Sequence, residues 1–234
     1  GGALVGFREK YSSFITVMDN CKVLVKEVAD LIQPLRELID ELQGSFDIPQ
    51  IEVAVGEQRV VNEDPANDPA INYRLRTVLV FRHLKPLSET DTDRLIAFSV
   101  SHDFDLYLQP GGNDTVHKIA PADSVERLQY FLPEFDLQLN FHPMDFTQIN
   151  AGINRKIISQ ALTLLELNEE DTVLDLFCGL GNFTLATARV AKKVVGVEGS
   201  EEMVLRGSEN AALNGLDNVE FFAADLFQPI AEKE

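Results

Sequence analysis

DTVLDLFCGLGNFTLATARVAKKVVGVE, running from Asp171 to Glu198, decides how the rest of the chain is read. Thr172–Phe177 is a short apolar run of strand type, Cys178-Gly-Leu-Gly181 is a tight glycine turn, and Asn182–Ala191 has the spacing of a helix. A second run, Val194–Val197, ends on an acid, Glu198. Strand, turn, helix and strand form one βαβ unit, whose ligand belongs beyond the carboxyl ends of the strands.

Gly179 and Gly181 can take backbone angles closed to other residues, so a ligand can approach the main chain and the helix's first amides. Glu198 is placed to accept hydrogen bonds from both hydroxyls of a ribose, a charged contact contributing about 1.5–3 kcal/mol. The expected ligand is therefore a nucleoside. A dinucleotide fingerprint needs a third small residue after the turn, and here the run is Gly179-Leu-Gly181-Asn-Phe-Thr184. Asp175 would repel a pyrophosphate but suits an ammonium group or turn amides. S-adenosylmethionine satisfies both acids; a nicotinamide cofactor on a Rossmann oxidoreductase is the alternative.

Four separated motifs, FHPMDFTQINAGIN, DLFCGLGNFTL, VVGVEGSEEMV and ENAALNGLDNVEFFAADL, resemble in wording and order the RNA uracil-C5 methyltransferases, most nearly the bacterial enzymes of 23S ribosomal RNA. The resemblance implies that Gln148, Phe177, Asn182, Glu198 and Asp225 line the S-adenosylmethionine site, with Asp225 reaching the adenine amino group and Phe177 packing on an apolar part of the cofactor. In several relatives an amide stands at the position of Asp225. The implied fold class is α/β: the first three strands of a Rossmann-like S-adenosylmethionine-dependent methyltransferase sheet, preceded by an α+β domain. The expected organisation is an N-terminal segment and helix over 1–43, a central α+β domain over 44–140, and the first half of the methyltransferase domain over 141–234.

The resemblance further implies covalent catalysis, in which a thiolate adds to uracil C6, C5 takes the methyl group and a base removes the C5 proton. In the family that cysteine and base lie downstream of the third strand, so the chain is expected to be an inactive fragment of an active enzyme. Cys178 lies in the cofactor turn and reads as a small structural residue. Cys21 matches the fourth ligand of a [4Fe-4S] cluster in the family; a cluster needs four thiolates, so this chain is expected to carry none and Cys21 to be a free thiol. A half-sheet would leave strand 172–177 with an unpaired apolar edge, prone to self-association.

The 234 residues are 45% hydrophobic, ordinary material for one or two soluble domains. No apolar run approaches the eighteen or so residues of a membrane span, no signal peptide is read, and two unrelated cysteines leave a reducing cytoplasm as the expectation. The net charge is −18, and acids exceed bases by 24 to 13 up to Asn150 and by 14 to 7 after it. Ribosomal RNA is the partner the resemblance implies, yet this chain alone should bind RNA weakly or not at all. A binding or assembly module would need RNA affinity with a steep salt slope.

A local basic stretch, YRLRTVLVFRHLK, holds Arg74, Arg76, Arg82, His83 and Lys85, to be read as an RNA contact or as a solvated sheet surface. His83, His102, His117 and His142 lack ligand spacing and read as surface or structural residues. Elsewhere the pattern predicts a helix over 22–42 kinked or divided at Pro34, a loop over 44–50, strands over 51–55, 75–82, 105–108 and 137–141, a mobile loop over 62–72, a capped helix over 91–101 and a turn at Gly111-Gly112. Residues 141–149 alternate as a strand that would place Phe146 and Gln148 on one side, Phe146 either stacking on a uracil or filling a core between domains. Helices over 153–167 and 201–214 and a strand over 219–223 complete the reading.

Overall fold

The computed structural model describes residues 2–60, 73–122 and 126–227, and the expected loop over 62–72 lies outside them. The chain divides into two units, one formed by Gly1–Val55 with Leu75–Glu126, the other by Gly56–Arg74 with Arg127–Glu234.

In the first unit a hairpin of β1 (Gly6–Arg8) and β2 (Ile15–Val17) precedes α1 (Lys26–Ala29) and α2 (Ile32–Glu41). Pro34 sits in the first turn of α2, where a missing N–H removes no helical bond, so the helix divides just ahead of it. Then follow β3 (Gln50–Arg59) and β4 (Tyr73–Arg82), of which Gly56–Arg59 and Tyr73–Arg74 are assigned to the second unit, and α3 (Glu89–His102), β5 (Asp105–Gln109) and β6 (His117–Ala120), with the strands in the order β3-β4-β5-β6. β4 and β5 are parallel across the α3 crossover, and β6 returns antiparallel after the Gly111-Gly112 turn. The apolar stripe of α2 (Leu35, Leu38, Ile39), with Leu31 at its N-cap, packs on Leu79, Phe81, Leu95 and Leu106. Ser88 caps α3 by accepting from Asp91 N at 3.1 Å, and the Asp91 carboxylate in turn accepts from Gln43 N and Gly44 N, both at 2.9 Å.

The second unit opens with the antiparallel pair β7 (Leu128–Leu132) and β8 (Leu137–Phe141). α4 (Ala151–Leu165), β9 (Thr172–Leu176), α5 (Thr184–Ala188), β10 (Lys193–Glu198), α6 (Glu201–Leu213) and β11 (Val219–Ala223) follow. β9, β10 and β11 form a wholly parallel sheet in the order β11-β10-β9, with Gly196 opposite both Asp175 and Phe221. Among the described residues β9 pairs only with β10, and it leaves Leu174 60% and Leu176 49% exposed.

Two features of this unit have no counterpart in the sequence reading. Phe221 packs where a β-carbon on Gly196 would lie 2.8 Å from its ring and one on Gly207 would lie 2.6 Å from it, so both residues must be glycine for α6 to close on the sheet. Asn210 on α6 and Asn214 at its C-cap, one helical turn apart, hydrogen-bond the backbone of β8: Asn210 accepts from Asn140 N at 2.8 Å and donates to Asn140 O at 3.1 Å, while Asn214 accepts from Gln138 N at 2.9 Å and donates to Gln138 O at 2.7 Å. The two amides thus satisfy a strand edge that would otherwise be unpaired.

The expected strand over 141–149 is a correction. β8 ends at Phe141, because the chain turns at His142-Pro-Met-Asp145, where Asp145 accepts from His142 N at 2.6 Å. Strands β1, β2, β6 and β7 were not foreseen, and the helix expected over 182–191 is confined to Thr184–Ala188 by turns on both sides.

Glu57, 7% exposed, is a buried acid of the second unit. It accepts from Arg155 Nη2 with both oxygens at 2.6 Å and from Phe131 N at 3.0 Å, while Arg155 Nε donates to Phe131 O at 2.9 Å. Glu57→Ala should lower stability in urea unfolding by about 2–3 kcal/mol, somewhat below the range for fully buried pairs because Arg155 keeps part of its side chain in water. A loss under 0.5 kcal/mol would show that the pair does not hold α4 to β7.

Candidate active site

The site is the turn between β9 and α5, seen from the end of β10. The β9 side of the ladder continues one step beyond the strand, with Cys178 N donating to Val197 O at 3.1 Å, and Gly181 N then donates to Cys178 O at 3.0 Å to close the turn. Three consecutive odd-numbered residues carry positive φ: Phe177 at 58°, Gly179 at 56° and Gly181 at 98°. For glycine this is inexpensive, but for phenylalanine it is a strained conformation of the kind that persists where the surroundings enforce it. It turns Phe177 outward, 59% exposed, against Phe227 with ring centroids 5.7 Å apart.

Glu198 enforces that geometry. Its Oε2 accepts from Gly179 N at 3.0 Å, and its Oε1 accepts from Gly199 N at 2.8 Å and Ser200 N at 3.3 Å. A carboxylate offers about four lone-pair positions, so acceptor capacity remains for a ligand hydroxyl. Asp175, inside β9, accepts from Thr184 Oγ1 at 2.6 Å and thereby ties the strand to the first residue of α5. Burial pushes its pKa up, and the Thr184 hydrogen bonds oppose that shift.

Asn182 is held from two sides. Its amide makes a reciprocal pair with Asn154, at 3.0 and 2.8 Å, and its Oδ1 also accepts from Tyr130 Oη at 2.9 Å. Asp225 follows β11, exposed, with Oδ1 accepting from Phe227 N at 3.0 Å. Gln148 and Phe146 project from the segment between β8 and α4, Phe146 being 78% exposed and therefore no core residue. That segment is anchored by an ion pair in which Asp145 Oδ2 lies 2.8 Å from Arg206 Nε, with each side chain 6% exposed. Burial also lowers the pKa of His142 and raises that of Asp145.

The turn can admit a nucleoside bearing a charged side arm. A β-carbon on Gly179 would meet nothing within 4 Å, so the space before the turn is open. Glu198 holds the Gly179 amide there and the ring of Phe177 is exposed two residues before it, while Asp225 lies exposed just past the end of β11. These residues fit S-adenosylmethionine. For a [4Fe-4S] cluster the fit is lacking: the described residues contain no group of three or more His, Cys, Asp or Glu side chains placed to hold a metal, and Cys21 is a free, half-buried thiol.

Cys178 is buried, and that burial, followed by the charges of Asp175 and Glu198, pushes its thiol up to about 12. It would lie 2.9 Å from a β-carbon on Gly196, a packing position as read from the sequence. The basic stretch is largely engaged: Arg76 pairs with Asp105, Lys85 lies 3.1 Å from Asp47, and buried His83 has Nδ1 2.8 Å from Lys85 O. Of the residues that shape the site, sequence reasoning missed Tyr130, Asn154, Asp145 and Arg206. Asn154 had a legible signal, a polar residue in phase with Ile158 and Leu162 on the buried face of α4.

Comparison with known proteins covers the same stretch of chain. The tRNA (uracil-5-)-methyltransferase family matches residues 122–230. The 23S rRNA (uracil(1939)-C(5))-methyltransferase RlmD of Hahella chejuensis is 50% identical over 228 residues, covering 97% of this chain and 47% of that protein. Its counterparts in Alcanivorax borkumensis and Xanthomonas campestris pv. campestris are 47% and 44% identical, covering 99% and 96% of this chain and 48% and 46% of theirs. The chain thus spans about half the length of the curated relatives it matches. Among solved structures, the Pyrococcus abyssi tRNA (uracil-54, C5)-methyltransferase in complex with S-adenosyl-L-homocysteine superposes with a TM-score of 0.60 at 20% identity, covering 97% of this chain and 54% of that one. That likeness supports the α/β methyltransferase fold.

The Cys178 geometry yields a labelling prediction. At pH 8 iodoacetamide should alkylate Cys21 in the folded chain and Cys178 only after denaturation, as read by peptide mass spectrometry. The folded thiol pKa lies above the ordinary value of 9.0, so stability from the protonated thiol is complete below pH 9 and is lost as pH rises toward about 12. Cys178→Ala should flatten that alkaline loss. Equal labelling of both cysteines in the folded protein would refute the buried assignment.

Proposed function

We propose that this chain, similar to the RNA uracil-C5 methyltransferases, is the cofactor-binding portion of an S-adenosylmethionine-dependent enzyme that forms 5-methyluridine in 23S ribosomal RNA. The observation that carries the reading is Glu198, at the end of β10, holding the Gly179 amide while keeping acceptor capacity toward an open face. Identity of 44–50% with three ribosomal RNA enzymes over almost the whole chain supports ribosomal over transfer RNA. A cytoplasmic location belongs to the same proposal, and no helix among the described residues is long and apolar enough to cross a membrane.

In this reading Glu198 holds the ribose hydroxyls, Phe177 covers an apolar part of the cofactor, Asp225 accepts from the adenine amino group, and Gln148, Asp175 and Asn182 face the amino-acid end or the base. Gly179 and Gly181 give the ligand access to the main chain. Bound there, S-adenosylmethionine would supply an electrophilic methyl group on sulfonium. Phe146 and Gln148, held out by the Asp145–Arg206 pair, border the place where a flipped uracil would enter.

Attack on uracil C6 needs a thiolate at neutral pH, which a buried thiol raised to about 12 does not provide. In this reading Cys178 is a packing residue of the turn rather than the nucleophile. Cys21, in the first unit, is read as one ligand of the parent protein's [4Fe-4S] cluster. The nucleophile and the base are assigned to the rest of the parent protein, and this chain alone is read as inactive and as a poor RNA binder.

Calorimetric titration with S-adenosylmethionine should show saturable binding, and Glu198→Ala should weaken it by about 10- to 150-fold, the equivalent of losing a charged hydrogen-bond acceptor. NADH should not compete. Unchanged affinity in the Glu198→Ala variant would remove the basis of the site assignment, and 5-methyluridine formed by the chain alone would overturn the placement of the nucleophile elsewhere.

A further inference from the structure

Several side chains hold the cofactor turn, among them Glu198 at Gly179 N and Asn210, whose Nδ2 donates to Leu180 O at 3.3 Å. A further one is the Asn182 amide, and its partners come from outside the βαβ unit: Asn154 on α4 and Tyr130 on β7. Asn154 is 5% exposed and lies in the apolar stripe with Ile158 and Leu162. An amide in that position is unfavourable unless its hydrogen bonds are made inside the protein. One partner makes them: Asn154 Nδ2 donates to Asn182 Oδ1 at 3.0 Å, and Asn182 Nδ2 donates to Asn154 Oδ1 at 2.8 Å. Tyr130, whose hydroxyl pKa burial drives upward, donates to the same Asn182 oxygen at 2.9 Å. Apolar side chains of similar size would fill the space equally well, so packing alone does not call for these groups.

We propose that Asn154 and Tyr130 are positioning residues for the cofactor, setting the backbone of the glycine turn through the Asn182 amide. The proposal deepens the reading of the turn as an S-adenosylmethionine site and rests on it for the affinity readout. Asn182 follows Gly181, whose φ is 98°, and precedes by two residues Thr184, which binds Asp175. Locking its side chain therefore fixes the turn from the helix side as Glu198 fixes it from the strand side. A chemical consequence follows for Asn182 itself. Both acceptor positions of its oxygen are taken, and one N–H of its amide is left, so toward a ligand its side chain acts only as a donor. Its counterpart on the methyl donor is then an acceptor, the carboxylate of the amino-acid moiety.

The test uses Asn154→Asp and Tyr130→Phe in this chain, with thermal melting to establish that each is folded. In N154D the neutral carboxyl can still donate to Asn182, whereas the ionised form has lost that donor. Amide exchange of Gly179, Leu180 and Gly181 is followed by NMR without ligand, and S-adenosylhomocysteine affinity by calorimetry, each as a ratio to wild type at the same pH. At neutral pH N154D should exchange faster and bind more weakly, by about 3- to 30-fold, and Y130F by a smaller factor in the same sense. As pH falls and the N154D carboxyl protonates, both ratios should return toward one, a pH dependence that a packing role would not produce.

Ratios near one at every pH in both folded variants would overturn the proposal. Should N154D not fold, an unchanged exchange ratio in Y130F would overturn it alone. Faster exchange in the variants together with a wild-type chain that binds no S-adenosylhomocysteine would support the positioning role and refute the cofactor reading.

Discussion

The contact on which the second unit's chemistry depends is the one between the Glu198 carboxylate and the Gly179 amide, 3.0 Å long. It joins the carboxyl ends of two neighbouring parallel strands through one side chain. A parallel sheet leaves those ends without a hairpin to connect them, so the loops beyond them are free to form a ligand site. Glu198 removes part of that freedom, by holding the turn after β9 in the conformation in which Phe177, Gly179 and Gly181 all have positive φ. The same carboxylate bonds the amide of Gly179, beside which a β-carbon would meet nothing within 4 Å. Under the proposed function, turn conformation and nucleoside binding are coupled at this one residue.

Around this contact the unit is assembled by polar groups that close on backbone as much as by apolar packing. Asn210 and Asn214 turn α6 into a partner for the edge of β8, and Glu57 with Arg155 does the same for β7 from the side of α4. The Asp145–Arg206 pair fixes the segment between them. These pairs are individually costly to bury, and removing one partner leaves the other without compensation. Their value lies in direction: they set how α4, α6 and the β7–β8 pair meet the glycine turn, which the small contact of Phe221 with Gly196 and Gly207 could not do alone.

The sheet and its turn were legible because their determinants are local. Apolar runs bounded by glycine, an acid at the end of β10 and a helix stop at Asn214-Gly215 lie within a few residues of the elements they specify. The reading failed where long-range contacts decide. Residues 141–149 alternate like a strand, but His142 and Asp145 close a turn and Asp145 is drawn to Arg206, a residue far along the chain. The strands of the hairpin β1–β2, three residues each, are too short for periodicity to register, and β7 is bound at Phe131 N by Glu57, whose role no pattern near it announces. At the site, the positions of Glu198 and of both turn glycines could be read because glycine turns have local chemistry. The Asn154–Asn182–Tyr130 cluster could not, because it gathers residues from three separate elements.

The most direct measurement of the account is a crystal structure of this chain soaked with S-adenosylhomocysteine. The account predicts the adenosine in front of Gly179, its ribose hydroxyls within hydrogen-bond distance of Glu198, its adenine beside Asp225 and the amino-acid carboxylate at the remaining N–H of Asn182. Density for the ligand elsewhere, or a ribose that makes no contact with Glu198, would contradict the central claim that one carboxylate both shapes the turn and receives the nucleoside.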